Sequence, residues 1–280
     1  MKEISSGQVE KAVYDIVLEA NYQISPDIRQ AVEKAAAEEE TATGRSALGQ
    51  ILENYDIASR DEVAICQDSG MTVIFAQVGQ DLHIAGGFVD AVNAGVRKAH
   101  TEGCLRASVV AEPLFERKNT KDNTPAVIHT ELAPGDKLIL TAVAKGFGSE
   151  NTSRARMFVP ANTREEIRDF VVETAAMAGP NACPPVIVGV GVGGTIDMAA
   201  LLSKRATVRP VGQYHADPRY AALEREWLDA VNETGVGPAG FGGRTTALWL
   251  AIDTFPTHIA SIPVVVNLCC HASRHASIEL

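Results

Sequence analysis

The chain has 280 residues and sets 25 Lys plus Arg against 35 Asp plus Glu, a formal charge of −10. At 46% hydrophobic and 21% charged it has the balance of a folded globular protein, with ample length for a core. No basic stretch suits a phosphate backbone, no apolar run is as long as a membrane span, and no charged start followed by an apolar core marks a leader. Nucleic-acid and membrane partners are therefore not expected, and a cytoplasmic location is.

Taken in chain order, Val9, Val13, Ile16 and Val17 recur at the spacing of an amphipathic helix. Ser25-Pro26 supplies a cap and a first helical residue for a second helix reaching residue 40, and a third is predicted over 47–54. The character changes at Val63, where VAICQDSGMTVIFAQVG reads as a strand, a polar turn carrying Cys66, and a second strand. Further helices are predicted over 88–102, 163–178, 196–203 and 220–232. The start Thr163-Arg-Glu-Glu166 suits the amino-terminal turn of a helix. Strands are predicted over 126–129, 137–143, 184–192, 247–254 and 263–268. With aromatics at 5%, the core must rest on Ala, Val, Ile and Leu. No repeat or linker interrupts the chain. The expectation is a single α+β domain over 1–280, helical to about residue 60 and mixed thereafter, with an irregular, mostly antiparallel sheet.

Chemistry concentrates around three widely separated cysteines, each in its own motif: Cys66 in ICQDSGM, Cys183 in NACPPVIVGVGVGGT and Cys270 in VNLCCHASRHA. Thiolates bind soft metal centres, and three ligands on an iron–sulfur cluster would leave one iron open as a Lewis acid. No CxxC is present, and lone cysteines are most often small buried hydrophobes, so spacing alone leaves both readings open. Asp68, two residues after Cys66, would set two anions close together unless a cation lies between them; as an alternative it is a turn-former before Ser69-Gly70. Arg106, in the apolar context GCLRASVV, could clamp a carboxylate or pair with one in the core. His258 could be a packed histidine. His271, Arg274 and His275 could donate hydrogen bonds around a cluster. The glycines of GVGVGGT lack the spacing of a phosphate or dinucleotide loop; close backbone packing, or N–H groups offered to a carboxylate, accounts for them better.

The ordered set CQDSGM, GCLR, KGFGSEN, CPPVIVGVGVGGT, GPAGFGGRTTAL, PTHIASIPVVVN and CHASRHA resembles the alpha subunit of the two-subunit class I fumarate hydratase and L(+)-tartrate dehydratase family. The resemblance spans essentially the whole chain. It implies the fold of the class I fumarase amino-terminal domain and a [4Fe-4S] cluster held by Cys66, Cys183 and Cys270. Cys270 is preferred to Cys269 because the family's last motif runs Cys, His or Trp, two variable residues, then Arg. It further implies substrate contacts from Gln67, Asp68, Arg106, Gly148 and His258, of which Asp68, Arg106 and His258 are catalytic. Phe147 stands where glycine is common in that loop. A small dicarboxylate is the implied substrate, fumarate and malate first, tartrate or mesaconate as alternatives. A separate beta subunit is implied to carry the catalytic base, with an alpha dimer inside a heterotetramer. A non-catalytic iron–sulfur sensor would need the cysteines but not Asp68, Arg106 and His258 together.

Overall fold

Ser5 opens the first helix by accepting a hydrogen bond from the Gln8 N–H, while the Gln8 side chain turns back to the Ser5 N–H. The structure, a computed structural model, describes residues 2–280. In chain order it runs β1 (Lys2–Ser5), α1 (Ser6–Tyr22), α2 (Pro26–Glu38), α3 (Ala42–Asp61), β2 (Met71–Gly79), β3 (Leu82–Ala85), α4 (Phe88–Glu102), β4 (Val127–Ala133) and β5 (Leu138–Lys145). It continues with α5 (Phe147–Glu150), β6 (Arg154–Phe158), α6 (Arg164–Ala178), β7 (Val186–Gly193), α7 (Ile196–Ala206), α8 (Pro218–Asn232), β8 (Ala247–Phe255), β9 (Ile262–Cys269) and β10 (His275–Glu279). This is an α+β fold.

The chain forms two units, one from the segments up to Ser25, Asn54–Phe147 and Arg274–Leu280, the other from Pro26–Glu53 and Gly148–Ser273. In the first unit, four strands in the order β10-β5-β2-β4 carry α1, and α4 packs on α1. Val9, Val13, Ile16 and Val17 of α1 are all buried and meet Val92, Val96 and Ala99 of α4, with Ile74, Leu138 and Leu140 beneath. A separate two-stranded parallel sheet joins β1 to β3.

The second unit has the strand order β6-β9-β7-β8. Past a register shift between Val186 and Ile187, β7 alternates. Val186, Val188 and Val190 enter a core with Phe170 and Val171 of α6 and Trp227 and Val231 of α8. The glycines between them face α7, and a Cβ on Gly191 would lie 1.9 Å from the Ala199 carbonyl oxygen. On Gly189 it would lie 2.1 Å from that of Ser203. The glycines of GVGVGGT thus let a helix backbone touch a strand backbone, and that use accounts for them without a nucleotide.

Across the described residues four strand pairings are antiparallel and three parallel, so the sheets are mixed. One predicted strand is absent: residues 63–66 form a loop. Its apolar Ile65 is buried, but the Ile65 N–H donates to the Asn21 carbonyl at 2.9 Å and its carbonyl accepts from Asn54 Nδ2 at 2.9 Å. Those partners replace a strand ladder. Four short strands, β1, β3, β6 and β10, lie outside the predicted set.

Candidate functional site

The segment carrying Cys66, Gln67 and Asp68 has no regular structure, and side chains and single amides of the first unit hold it. Beyond the two bonds at Ile65, Asp68 is fixed three times. Its Oδ1 accepts from the Gly70 N–H at 3.0 Å, its Oδ2 from the Phe147 N–H at 2.9 Å, and its carbonyl from Arg274 Nη2 at 2.6 Å. Gly70 has φ +73° and lies so close to Lys145 that an added Cβ would meet its backbone at 2.6 Å, which only glycine permits. Cys66 and Asp68 are half-buried, and Gln67 is exposed.

Arg106 is tied to the same loop through its backbone, whose N–H donates to Ser69 Oγ at 3.0 Å. Its guanidinium is solvent-exposed and pairs with no carboxylate among the described residues. Asn123, fully buried, welds the neighbourhood. Its Oδ1 accepts from the N–H groups of Ser108 and Val109 at 2.8 and 3.2 Å, and its Nδ2 donates to the Gly70 carbonyl at 3.0 Å. The same Nδ2 lies 3.0 Å from His100 Nε2, which must therefore accept, placing the imidazole proton on Nδ1. Burial pushes the His100 pKa down to about 4, against the opposing pull of the Arg106 carbonyl and the Asp122 carboxylate. His100 and Asn123 carry no motif signal in the sequence, and Ser69, inside CQDSGM, is marked there only as part of a turn. The one trace is Asn123 itself, an Asn at φ +60° inside KDNTP.

In the second unit, Cys183 follows a 3₁₀ turn over Gly179–Ala182 at φ 53° and ψ 66°, a left-handed position glycine would occupy at lower cost. Cys183 is exposed. Its carbonyl accepts from the His271 N–H at 3.3 Å, bringing the Cys183 and Cys270 segments together. Cys269 is buried at the end of β9, whereas Cys270, just past the strand, is half-buried. Gly148 lies in α5, where a Cβ would come 2.8 Å from the Asn181 carbonyl oxygen. Glu150, two residues on, accepts from Lys204 Nζ at 2.5 Å and Asn267 Nδ2 at 2.9 Å, so this loop is anchored to α7 and β9. His258 is exposed after β8, its Nδ1 accepting from the Ala260 N–H at 3.1 Å.

None of the five cysteines is in a disulfide. Among the described residues no three His, Cys, Asp or Glu side chains converge to hold a metal ion. The donor chemistry nonetheless fits a thiolate-bound cluster. Cys66 and Cys270 are half-buried and Cys183 is exposed, each outside regular structure, while Cys269 is packed away, and in a cluster each thiolate binds its own iron.

The family model described as fumarate hydratase (Fumerase) matches residues 10–279. The chain belongs to the fumarate hydratase family. It is 36% identical over 276 residues to the putative L(+)-tartrate dehydratase subunit alpha of Methanocaldococcus jannaschii, covering 96% of each chain. It is also 27% identical over 286 residues to the L(+)-tartrate dehydratase subunit alpha of Escherichia coli K12, covering 99% of this chain and 94% of that one. This fumarate hydratase family member is a hydro-lyase chain. No helix among its described residues is long and apolar enough to cross a membrane.

Proposed function

We propose that the chain is the alpha subunit of a cytoplasmic iron–sulfur hydro-lyase that hydrates fumarate reversibly to L-malate. The carrying observation is Arg106: an exposed guanidinium without an ion pair among the described residues, its backbone locked one residue from Asp68. A cation left unpaired on a rigid frame is suited to grip a substrate carboxylate through two parallel hydrogen bonds. Asp68 has both carboxylate oxygens oriented by N–H donors, and each oxygen retains capacity to accept from a substrate hydroxyl.

Cys66, Cys183 and Cys270 would hold a [4Fe-4S] cluster, which when bound supplies Lewis acidity toward a hydroxyl and a carboxylate oxygen. The left-handed backbone at Cys183 and the burial of Cys269 beside half-buried Cys270 support this ligand set. Arg106 then neutralises negative charge building on the substrate carboxylate as the C3 proton leaves. Gln67, exposed beside Asp68, is available to hydrogen-bond the same substrate. His258 and the backbone at Gly148 are the further substrate contacts that the family resemblance implies. The base that removes the C3 proton belongs to a separate beta subunit, in a heterotetramer built on an alpha pair, and the 280 residues act as one functional domain. The names of the relatives support a second reading, L(+)-tartrate dehydration, with the same residues in the same roles.

The test is anaerobic co-expression with the beta subunit, iron and sulfide analysis, and turnover on fumarate, L-malate and L-tartrate. Arg106→Ala is expected to lower kcat/KM by at least ~100-fold with iron, sulfide and cluster absorbance unchanged. Loss of the cluster in that variant would make Arg106 structural and refute its role. Cys269→Ala is expected to keep its iron, and Cys270→Ala to lose it. Preference for L-tartrate over L-malate would decide for the second reading.

A further inference from the structure

Arg274 is 2% exposed, the largest fully buried side chain in the protein. A buried guanidinium ordinarily answers a carboxylate, yet no ion pair of Arg274 occurs among the described residues. Its partners are neutral oxygens. Nη2 donates to the Asp68 carbonyl at 2.6 Å and Nη1 to Asn21 Oδ1 at 3.2 Å, while Nε is buried without an acceptor. Its own backbone and its partner Asn21 are held by further hydrogen bonds. The Arg274 carbonyl accepts from the Ala144 N–H at 3.0 Å at the junction of β10 and β5. Asn21 is fully buried, its Nδ2 donates to the Val17 carbonyl at 2.8 Å, and its own carbonyl receives the Ile65 N–H.

Residues 65–70 have no ladder to fix them, so their conformation depends on these discrete anchors. Arg274 is the one charged side chain in the set, and the one that reaches both Asp68 and the end of α1. Its fork also lies near the Asp68 carboxylate, because a Cβ placed on Gly146 would be 3.4 Å from both Nη2 and Asp68 Oδ2. We propose that Arg274 is a positioning residue that fixes the main chain of Asp68 and hence the direction of its carboxylate, without itself touching substrate. A shorter cation at this site cannot span Asp68 and Asn21 together, so lysine is a poor replacement. The inference rests on the role given to Asp68 above.

The experiment compares Arg274→Lys, Arg274→Gln and Asp68→Asn in the complete two-subunit enzyme. It measures kcat and KM, iron content, the thermal midpoint and hydrogen exchange of the peptide covering residues 65–70. Arg274→Lys is expected to lower kcat by about 10–100-fold with KM within about threefold, the scale seen when an outer partner of a site residue is lost. Exchange at residues 65–70 is expected to quicken by at least ~10-fold while α4 and α6 keep their protection. Unchanged kcat and unchanged exchange in Arg274→Lys would overturn the proposal. So would a raised KM at constant kcat, which would make Arg274 a binding group, or global unfolding of both Arg274 variants, which would make it structural. Full activity in Asp68→Asn would refute the reading of Asp68 instead, and the exchange measurement would still decide whether Arg274 holds the loop.

Discussion

Replacing Gly191 with Ala tests the contact that organises the second unit. The added methyl would lie 1.9 Å from the Ala199 carbonyl oxygen and 2.7 Å from the Ser203 nitrogen, about 1.5 Å short of ordinary contact. The strand cannot retreat, because β7 is hydrogen-bonded to β8 on one side and β9 on the other. Helix α7 must therefore move, opening a seam in which Ala199, Ser203 and Ala206 are fully buried. A gap of 0.5–1 Å already forfeits a quarter to a half of each dispersion contact, so the cost belongs at the upper end for overpacking, about 3 kcal/mol or more. At roughly 2–4 °C per kcal/mol for a domain of this size, the melting midpoint should fall by about 6–12 °C. Gly49→Ala is the control. Gly49 is exposed inside α3 with nothing within 4 Å of the new Cβ, so the change should stabilise by about 0.5–1 kcal/mol through helix propensity alone. Scanning calorimetry on the three proteins decides. A Gly191→Ala midpoint within about 1 °C of the parent would show that α7 does not ride on β7 as described.

Two pH effects follow from buried groups. His100 is neutral when folded, with a pKa near 4 against an ordinary 6.5, so between those values the unfolded chain binds the extra proton. Its contribution is complete above pH 6.5 and drains away as pH falls toward 4, by about 3 kcal/mol in total. His100→Gln keeps an acceptor for Asn123 but cannot titrate, so its urea midpoint should vary less with pH; parallel curves for the two proteins would refute the assignment. Glu39, 3% exposed, would have its carboxyl raised by burial, but hydrogen bonds from the Thr41 and Arg244 N–H groups and the Thr41 hydroxyl lower it overall. Glu39→Gln sets an amide against one of these donors and should cost about 1–3 kcal/mol above pH 4.5. The difference should close as pH drops through the depressed Glu39 pKa, and a constant difference down to pH 3 would exclude a titrating carboxylate.

Local signals were legible where one segment decides its own structure. The α1 stripe, Pro26 at the first turn of α2, and the helix start at Thr163–Glu166 appear as read, and at the last the two side chains form a capping box. Short edge strands were not. Arg154–Phe158 of β6 is mostly exposed along its length and so shows no alternation of apolar and polar residues. The run Val63–Cys66 misled for the opposite reason. Its apolar residues do pack, but Asn21 and Asn54 take the hydrogen bonds a neighbouring strand would have made. Long-range partners leave no local trace: Arg274 and Asp68 stand 206 residues apart, and Asn123 and Gly70 53. Cys66, Asp68 and Arg106 could be named in sequence, yet the frame that holds Asp68 and Arg106 together could not.

That frame explains why the CQDSGM segment is a loop. In a strand successive side chains point to opposite faces, so Gln67 would be turned away from Cys66 and Asp68. An irregular backbone removes that constraint and would let three consecutive side chains serve the proposed site. Its cost is that every buried peptide group needs its own partner. The first unit meets this cost with residues from α1, α3, the position just before β10 and the 119–124 loop: Asn21, Asn54, Arg274 and Asn123. Asn54 and Asn123 do so through neutral side-chain amides and Asn21 through its own carbonyl, so this buried backbone is satisfied without added charge. The exception, Arg274, is bonded to the backbone of Asp68, the residue whose direction the proposed chemistry can least afford to lose.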